Sequence, residues 1–264
     1  MSERAQVTID NAVATVRLSR PDKLNALDAA MFEGMIRAGE QIMADKSVRA
    51  VVLHGEGRAF SAGLDFASFM GNPDLMQKLL ARDEKSLANV AQRIAWIWQE
   101  VQVPVIAAVH GVAFGGGLQI ALGADIRYVT PDAQLSVLEI KWGLIPDMSI
   151  TQTLTRLVPL DVAKELTFTG RIISGAEAVE LGLATKVTKD PLADALETAK
   201  LIATKSPHAI RAGKTLLNEA PTMSRADALK LETALQVGLL GSPNQMEAVQ
   251  ANMMKREPDF KDPD

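Results

Sequence analysis

Two short stretches of small residues mark places where the backbone itself can do chemistry. Ala59-Phe60-Ser61-Ala62-Gly63-Leu64-Asp65 and Ala113-Phe114-Gly115-Gly116-Gly117-Leu118-Gln119 each follow an apolar, strand-like run. Small residues let a ligand approach main-chain N–H groups closely. A helix entered from such a turn aims its unpaired N–H groups and positive dipole end outward. Two such loops side by side can hold one developing oxyanion between amides of different segments. That kind of stabilisation is often the largest catalytic contribution, about 3–4 kcal/mol per donor removed. The same turns also permit plain close packing, and spacing alone leaves both uses open.

Other chemistries fit poorly. Ile120 stands where the third glycine of a dinucleotide fingerprint would fall, and no Gly-Lys-Ser/Thr follows, so neither nucleotide motif is complete. Ser61 beside Gly63 is not a nucleophile elbow. His54, His110 and His208 lack metal-ligand spacing, and no metal is expected. His54 and His110 each close an apolar strand and read as structural. With no cysteine, disulfides and thiolate catalysis are excluded.

These loops need a scaffold, and the chain is long enough to supply one. Its 264 residues, 47% apolar and 23% charged, suit one large domain with a smaller helical appendage. A net charge of −4 gives no reason to expect nucleic acid as a partner. No apolar run is long enough to span a bilayer and no leader-like segment precedes the first strand, so a cytoplasmic protein without a membrane partner is expected.

Val7 to Leu18 predicts a hairpin turning at Asp10-Asn11. Asp28 is spaced to cap a helix through Ala44, with Met31, Met35, Ile36 and Ile42 inward. Val48 to Leu53 and Val105 to Val109 predict strands buried on both faces. Between them lie an irregular segment broken at Gly71-Asn72-Pro73 and a helix predicted over 84–101. Trp96 and Trp98, two apart on that helix, cannot both face the core. A helix opens at Leu118, and strands follow at 126–129 and 133–136. Short helices are predicted at 154–157 and 162–167. Ser174 and Glu177 are spaced as a capping box. From Asp190 onward the chain is nearly all helical, an appendage of the kind that packs against another subunit.

In order along nearly the whole chain, several segments resemble the enoyl-CoA hydratase/isomerase (crotonase) superfamily. They are Arg20 through Leu27, the two glycine loops, Pro104 through Gly111, Glu139 through Pro146, Thr169-Gly170-Arg171 with Ala176-Glu177-Ala178 and Gly182-Leu183, and Phe260-Lys261-Asp262. The resemblance implies an α/β spiral of repeated ββα units over 1–195, with a C-terminal helical trimerisation region over 196–264 that forms trimers or dimers of trimers. It implies an acyl-CoA thioester as substrate, coenzyme A being part of that substrate and no separate cofactor being needed. It places the oxyanion donors on Ala62 and Gly116, substrate contacts on Gly63, Leu64, Asp65, Gly115 and Gln119, and coenzyme A contacts on Lys23 and, from a neighbouring subunit, Lys261.

Gln119, Glu139 and Asp147 then decide the reaction. The resemblance gives hydratases glutamates at the first two positions, and an amide at 119 can hold water but not take its proton. Glu139 alone can move a proton between carbons. Asp147 follows eight residues later, past Pro146, which argues against one continuous helix through both. From the residues alone, Glu139 also suits an exposed strand-end acid and Asp147 a helix cap. Isomerisation of an enoyl- or dienoyl-CoA by Glu139 and Asp147 is therefore expected first, hydration second, and acyl-CoA binding without chemistry third.

Overall fold

Strands that are apolar on both faces must be covered on both, and the chain arranges exactly two layers of cover. The computed structural model describes residues 3–70, 73–82, 84 and 86–263. β1 (Ala5–Asp10) and β2 (Val13–Leu18) form the expected hairpin. Its turn residues are Asn11 and Ala12, both at positive φ, one position later than predicted. Helix α1 (Ala29–Ala44) starts where expected, because the Asp28 carboxylate accepts the Met31 N–H at 2.9 Å. β3 (Ala50–Gly55) follows.

The next helices are α2 (Phe66–Met70), α3 (Pro73–Leu80) and α4 (Val90–Glu100). Gly71 and Asn72, the predicted break, lie outside the described residues. Helix α4 begins six residues later than predicted, because Asn89 and Gln92 cap its N-terminus reciprocally. Then come β4 (Val105–Val109), β5 (Val112–Phe114), α5 (Gly116–Gly123), β6 (Ile126–Val129) and β7 (Gln134–Ser136). The strand-bearing part of the chain closes with α6 (Ile150–Leu157), α7 (Leu160–Thr169), β8 (Ile173–Ser174), α8 (Gly175–Glu180) and β9 (Lys186–Val187). The Ser174 hydroxyl accepts the Glu177 N–H, one half of the predicted capping box, while the Glu177 carboxylate pairs with Arg171 instead.

Six strands form one sheet in the order β1-β2-β3-β4-β6-β9, parallel beyond the first hairpin, and β5-β7-β8 form a second. The path from the large sheet to the small one and into a helix recurs in β4-β5-α5 and β6-β7-α6. This is the repeated ββα pattern expected of the α/β spiral. An isolated bridge between Ser61 and Ala113 brings the loop after β3 alongside β5. The two glycine loops thereby leave neighbouring parallel strands at the same end.

On β3, Val51 and Leu53 enter the core formed with α1 and α4, whereas Ala50 and Val52 face a second core. Ala195 and Ala199 of α9 (Pro191–Ala203) close that second core. The division expected between 195 and 196 therefore falls inside a helix whose two buried alanines belong to the sheet. Trp98 is fully buried and Trp96 half-buried, so one tryptophan of the pair takes the core position.

Helices α10 (Pro207–Glu219), α11 (Arg225–Leu239) and α12 (Pro243–Met254) complete the chain. Lys214 of α10 reaches into the core. Its ammonium donates to Trp98 O at 2.9 Å and Val103 O at 3.0 Å, and pairs with Asp125 Oδ2 at 2.8 Å. Burial pushes its pKa down, while Asp125 opposes that shift. By contrast α11 has no buried residue and exposes Leu229 and Val237, as α12 exposes Met253 and Met254. No described helix is long and apolar enough to cross a membrane.

Removing one partner of a buried ion pair strands the other charge. Lys214→Ala is expected to cost about 3–5 kcal/mol, read as a lower urea midpoint. A midpoint within error of the parent protein would show that the ammonium contributes no net stability.

Candidate active site

The segment before α1 prepares the first loop. Leu24 and Asn25 both adopt positive φ. The buried Asn25 carboxamide is fully used: Oδ1 accepts the Arg20 N–H at 2.8 Å, and Nδ2 donates to Glu56 O at 2.9 Å and Ala59 O at 2.8 Å. Ser61 Oγ donates to Asn25 O at 2.9 Å. The turn at 20–27 is thus laced to the loop after β3. One consequence concerns Ala62. Its N–H donates to Leu24 O at 2.9 Å, so this amide is already committed to the fold. Among the described residues, the N–H of Leu64 has no acceptor. The open amide on this loop is therefore that of Leu64, not Ala62.

The second loop supplies the other amides. Helix α5 begins at Gly116, two residues earlier than predicted, so Gly116 is its first helical residue. First-turn N–H groups have no intrahelical acceptor, and among the described residues that of Gly116 finds none elsewhere. The loops touch: a Cβ built on Gly63, whose φ is +84°, would lie 2.5 Å from Phe114 O and 3.5 Å from Gly116 N. Only glycine permits that backbone angle and that approach together.

Over these loops lies a cavity of about 250 Å³. Ala62, Gly63, Leu64, Gly115, Gly116, Glu139 and Asp147 all line it, in a wall otherwise made of apolar side chains. Glu139 opens a 3₁₀ turn, Glu139–Trp142, that ends at Gly143. Asp147 follows in an extended loop and makes no cap to α6, whose preceding residue is Ser149. Neither carboxylate takes the ordinary role its position also allowed.

Gln119 does not line the cavity. It is buried on α5, where Nε2 donates to Glu139 Oε1 at 2.7 Å and Oε1 accepts the Met148 N–H at 2.8 Å. One carboxamide thus holds both carboxylate-bearing segments. Glu139 Oε2 is left buried and without a partner. Burial pushes the Glu139 pKa up, the Gln119 hydrogen bond pulls it back, and the nearby Asp147 charge raises it further. Asp147 sits at the exposed mouth, but protein around its carboxyl removes enough water to raise its pKa as well. Two carboxyl groups that each resist ionisation can divide into one acid and one base.

The remaining expected contacts lie elsewhere. Asp65 pairs with Arg20 at 2.8 Å, a bond that holds the turn rather than the cavity. Burial raises its pKa, but Arg20 and then Lys23 outweigh that and leave it below the ordinary value. Lys23 and Lys261 are exposed and outside the cavity wall. The Lys261 backbone is pinned by Asn244, which donates to its carbonyl at 2.8 Å and accepts its N–H at 3.0 Å. Neither tryptophan of α4 lines the cavity; Trp142, exposed at its mouth and 4.4 Å from the Phe66 ring, does. The sequence reading missed Asn25 and Trp142, although the segments that hold them, Arg20 through Leu27 and Glu139 through Pro146, were singled out.

A parallel sheet that delivers two glycine loops to one end, over a carboxylate pair, is the arrangement of the crotonase fold. The fold comparison agrees: an enoyl-CoA hydratase from Bacillus anthracis superposes with a TM-score of 0.90 at 30% identity, covering 98% of this chain and 99% of that one. The family model described as enoyl-CoA hydratase/isomerase matches residues 8–263. The chain belongs to the enoyl-CoA hydratase/isomerase family. Among its relatives, a probable enoyl-CoA hydratase of Bacillus subtilis is 36% identical, over 97% of both chains. A mitochondrial Delta(3,5)-Delta(2,4)-dienoyl-CoA isomerase of Mus musculus is 31% identical, over 97% of this chain and 81% of its own.

Gly63→Ala should lose at least about 1–3 kcal/mol from the backbone angle alone, with loop separation added. Gly213→Ala, on α10 where nothing lies within 4 Å of the new Cβ, is the control and should not destabilise. Equal urea midpoints for the two variants would refute the contact argument.

Proposed function

We propose that the protein isomerises a carbon–carbon double bond in an enoyl- or dienoyl-CoA thioester. One carboxylate takes a proton from carbon, the electron pair moves onto the thioester oxygen as an enolate, and a carboxyl group returns a proton at another carbon. Glu139 and Asp147 form the shuttle. The amides of Leu64 and Gly116 hold the enolate oxygen, worth about 3–4 kcal/mol for each donor. The observation that carries this reading is the Gln119 carboxamide. It cannot act as the second base of a two-glutamate hydration, and it turns Glu139 so that one oxygen stays free.

Coenzyme A leaves the cavity toward solvent, where Lys23, and Lys261 of a neighbouring subunit, meet its phosphates. The exposed apolar residues of α11 and α12 support assembly through the tail, as a homotrimer or a dimer of trimers. Hydration is the second reading. It is favoured by the hydratase names among the relatives and by Asp147, which stands at the open mouth and can serve as the second carboxylate. A protein that binds acyl-CoA without chemistry is the third.

The test offers a beta,gamma-enoyl-CoA, a conjugated 3,5-dienoyl-CoA and crotonyl-CoA, with products followed by mass and absorbance. A shifted double bond is expected from the first two. Rapid hydration of crotonyl-CoA would sink the isomerase reading, and binding without any product would favour the third. Glu139→Gln should lower turnover about 10²–10⁴-fold with acyl-CoA affinity nearly kept.

A base works when ionised, so the rate should rise with pH through a pKa above the ordinary carboxyl value of 4.5. The same raised pKa means that folding disfavours the charged form. Glu139→Gln should therefore raise the melting temperature at neutral pH, and that gain should fade as pH drops through the raised pKa toward 4.5. A melting temperature that falls at neutral pH would contradict the burial argument.

Gln119→Glu puts a second carboxyl against Glu139 Oε1 and should move the rising limb of the pH profile upward. An unmoved profile would show that Gln119 does not set the basicity of Glu139.

A further inference from the structure

Phe32, Leu79 and Ala91, from α1, α3 and α4, line the cavity and are almost fully buried, so they form its wall on the side away from solvent. Among the described residues, the charged side chains lining the cavity are Glu139 and Asp147, and the one other polar group is the indole N–H of Trp142 at the mouth. The wall that Phe32, Leu79 and Ala91 form therefore offers no side chain to hydrogen-bond. A hydroxyl or carboxyl group carried there would lose water without gaining a partner, which is costly. Hydrocarbon loses nothing.

Volume then sets length. An apolar cavity of about 150 Å³ accommodates the six carbons of benzene, which is about 25 Å³ per heavy atom. The present cavity, about 250 Å³, takes about ten on that scale. The thioester oxygen and sulfur occupy two of these places if the carbonyl is to meet the Leu64 and Gly116 amides. About eight remain for carbon.

We infer that the site selects medium-chain, unsubstituted hydrocarbon acyl groups of about eight carbons, measured by the wall that Ala91 and Leu79 form. The inference rests on thioester binding as proposed above. Ala91 sets the limit because it is the smallest side chain of that wall, so any enlargement there projects into the space the chain end needs. Leu79 sets it from the neighbouring helix α3, where truncation opens space.

Calorimetric titration with coenzyme A and with saturated acyl-CoA thioesters of 4, 6, 8, 10, 12 and 16 carbons separates binding from turnover. Affinity should strengthen with each added methylene, by up to about fourfold, and stop strengthening near eight carbons. 8-Hydroxyoctanoyl-CoA should bind at least about tenfold more weakly than octanoyl-CoA. Ala91→Leu should move the break to about five carbons, and Leu79→Ala to about eleven, each side-chain change being worth three carbons of space. Circular dichroism checks that both variants are folded, and the opposite signs keep the test open if one is not. Affinity that keeps rising to sixteen carbons, or that ignores both substitutions, overturns the length limit alone. Failure to bind any acyl-CoA, butyryl-CoA included, overturns thioester binding and this inference with it.

Discussion

One buried carboxamide organises the reacting end of the molecule. Gln119 sits in the first turn and a half of α5, the helix whose start provides the Gly116 amide, and it bonds both Glu139 and the main chain at Met148. Two separate stretches of chain are thereby referred to a single helix. The segment from Gly143 to Ser149 is otherwise held at its ends, by the Leu144 N–H donated to Glu139 O at 3.1 Å and by Ser149 Oγ donated to Gln92 O at 3.0 Å. A neutral group suits this task. It supplies a donor to one segment and an acceptor to the other, and it adds no charge to a cavity already holding two carboxyl groups.

The same economy appears in the first loop. Asn25 meets its hydrogen-bonding needs with three backbone groups, and Ala62 spends its amide on Leu24. Fixing the loop at these points leaves the next amide but one, that of Leu64, open toward a cavity whose walls otherwise exclude water. Buried N–H groups are rarely left without partners, so an open amide at such a place is a departure that the surrounding bonds must hold against collapse. Arg20, paired with both Asp28 and Asp65, braces the turn from the other side.

Much of the architecture was legible because local rules and long-range packing agree in it. Asp28 caps α1 for a reason contained in four residues, and β3 and β4 announce two-sided burial by composition. What the chain could not show from neighbours alone were properties set by distant partners. Whether the Ala62 or the Leu64 amide is open depends on Leu24, some forty residues earlier. The start of α4 was misplaced because Asn89 and Gln92 form a reciprocal cap that outweighs the helix-forming residues before it. The boundary drawn at 195 lies inside α9, which is helical like the tail after it but turns Ala195 and Ala199 onto the sheet. For the site, the family resemblance pointed to Glu139, Asp147 and Gln119 as a group, and the structure has Gln119 bonded to Glu139 and to the main chain beside Asp147.

The open N–H groups at 64 and 116 belong to the backbone, and that has a consequence for genetics as well as for chemistry. Every residue but proline carries the same donor. Exchanging the Leu64 side chain leaves its donor in place, so an alanine scan would pass over this part of the site in silence. Randomised libraries would report tolerance there and intolerance at Asn25, which touches no cavity at all. Around Leu64 the map of sensitive positions would thus trace the supports rather than the group they present, whereas Gly116 would register only because a Cβ there meets Met148 at 2.7 Å. Replacing the individual peptide bonds at 64 and 116 by esters, which deletes the donor and keeps the side chain, is the perturbation matched to this kind of site.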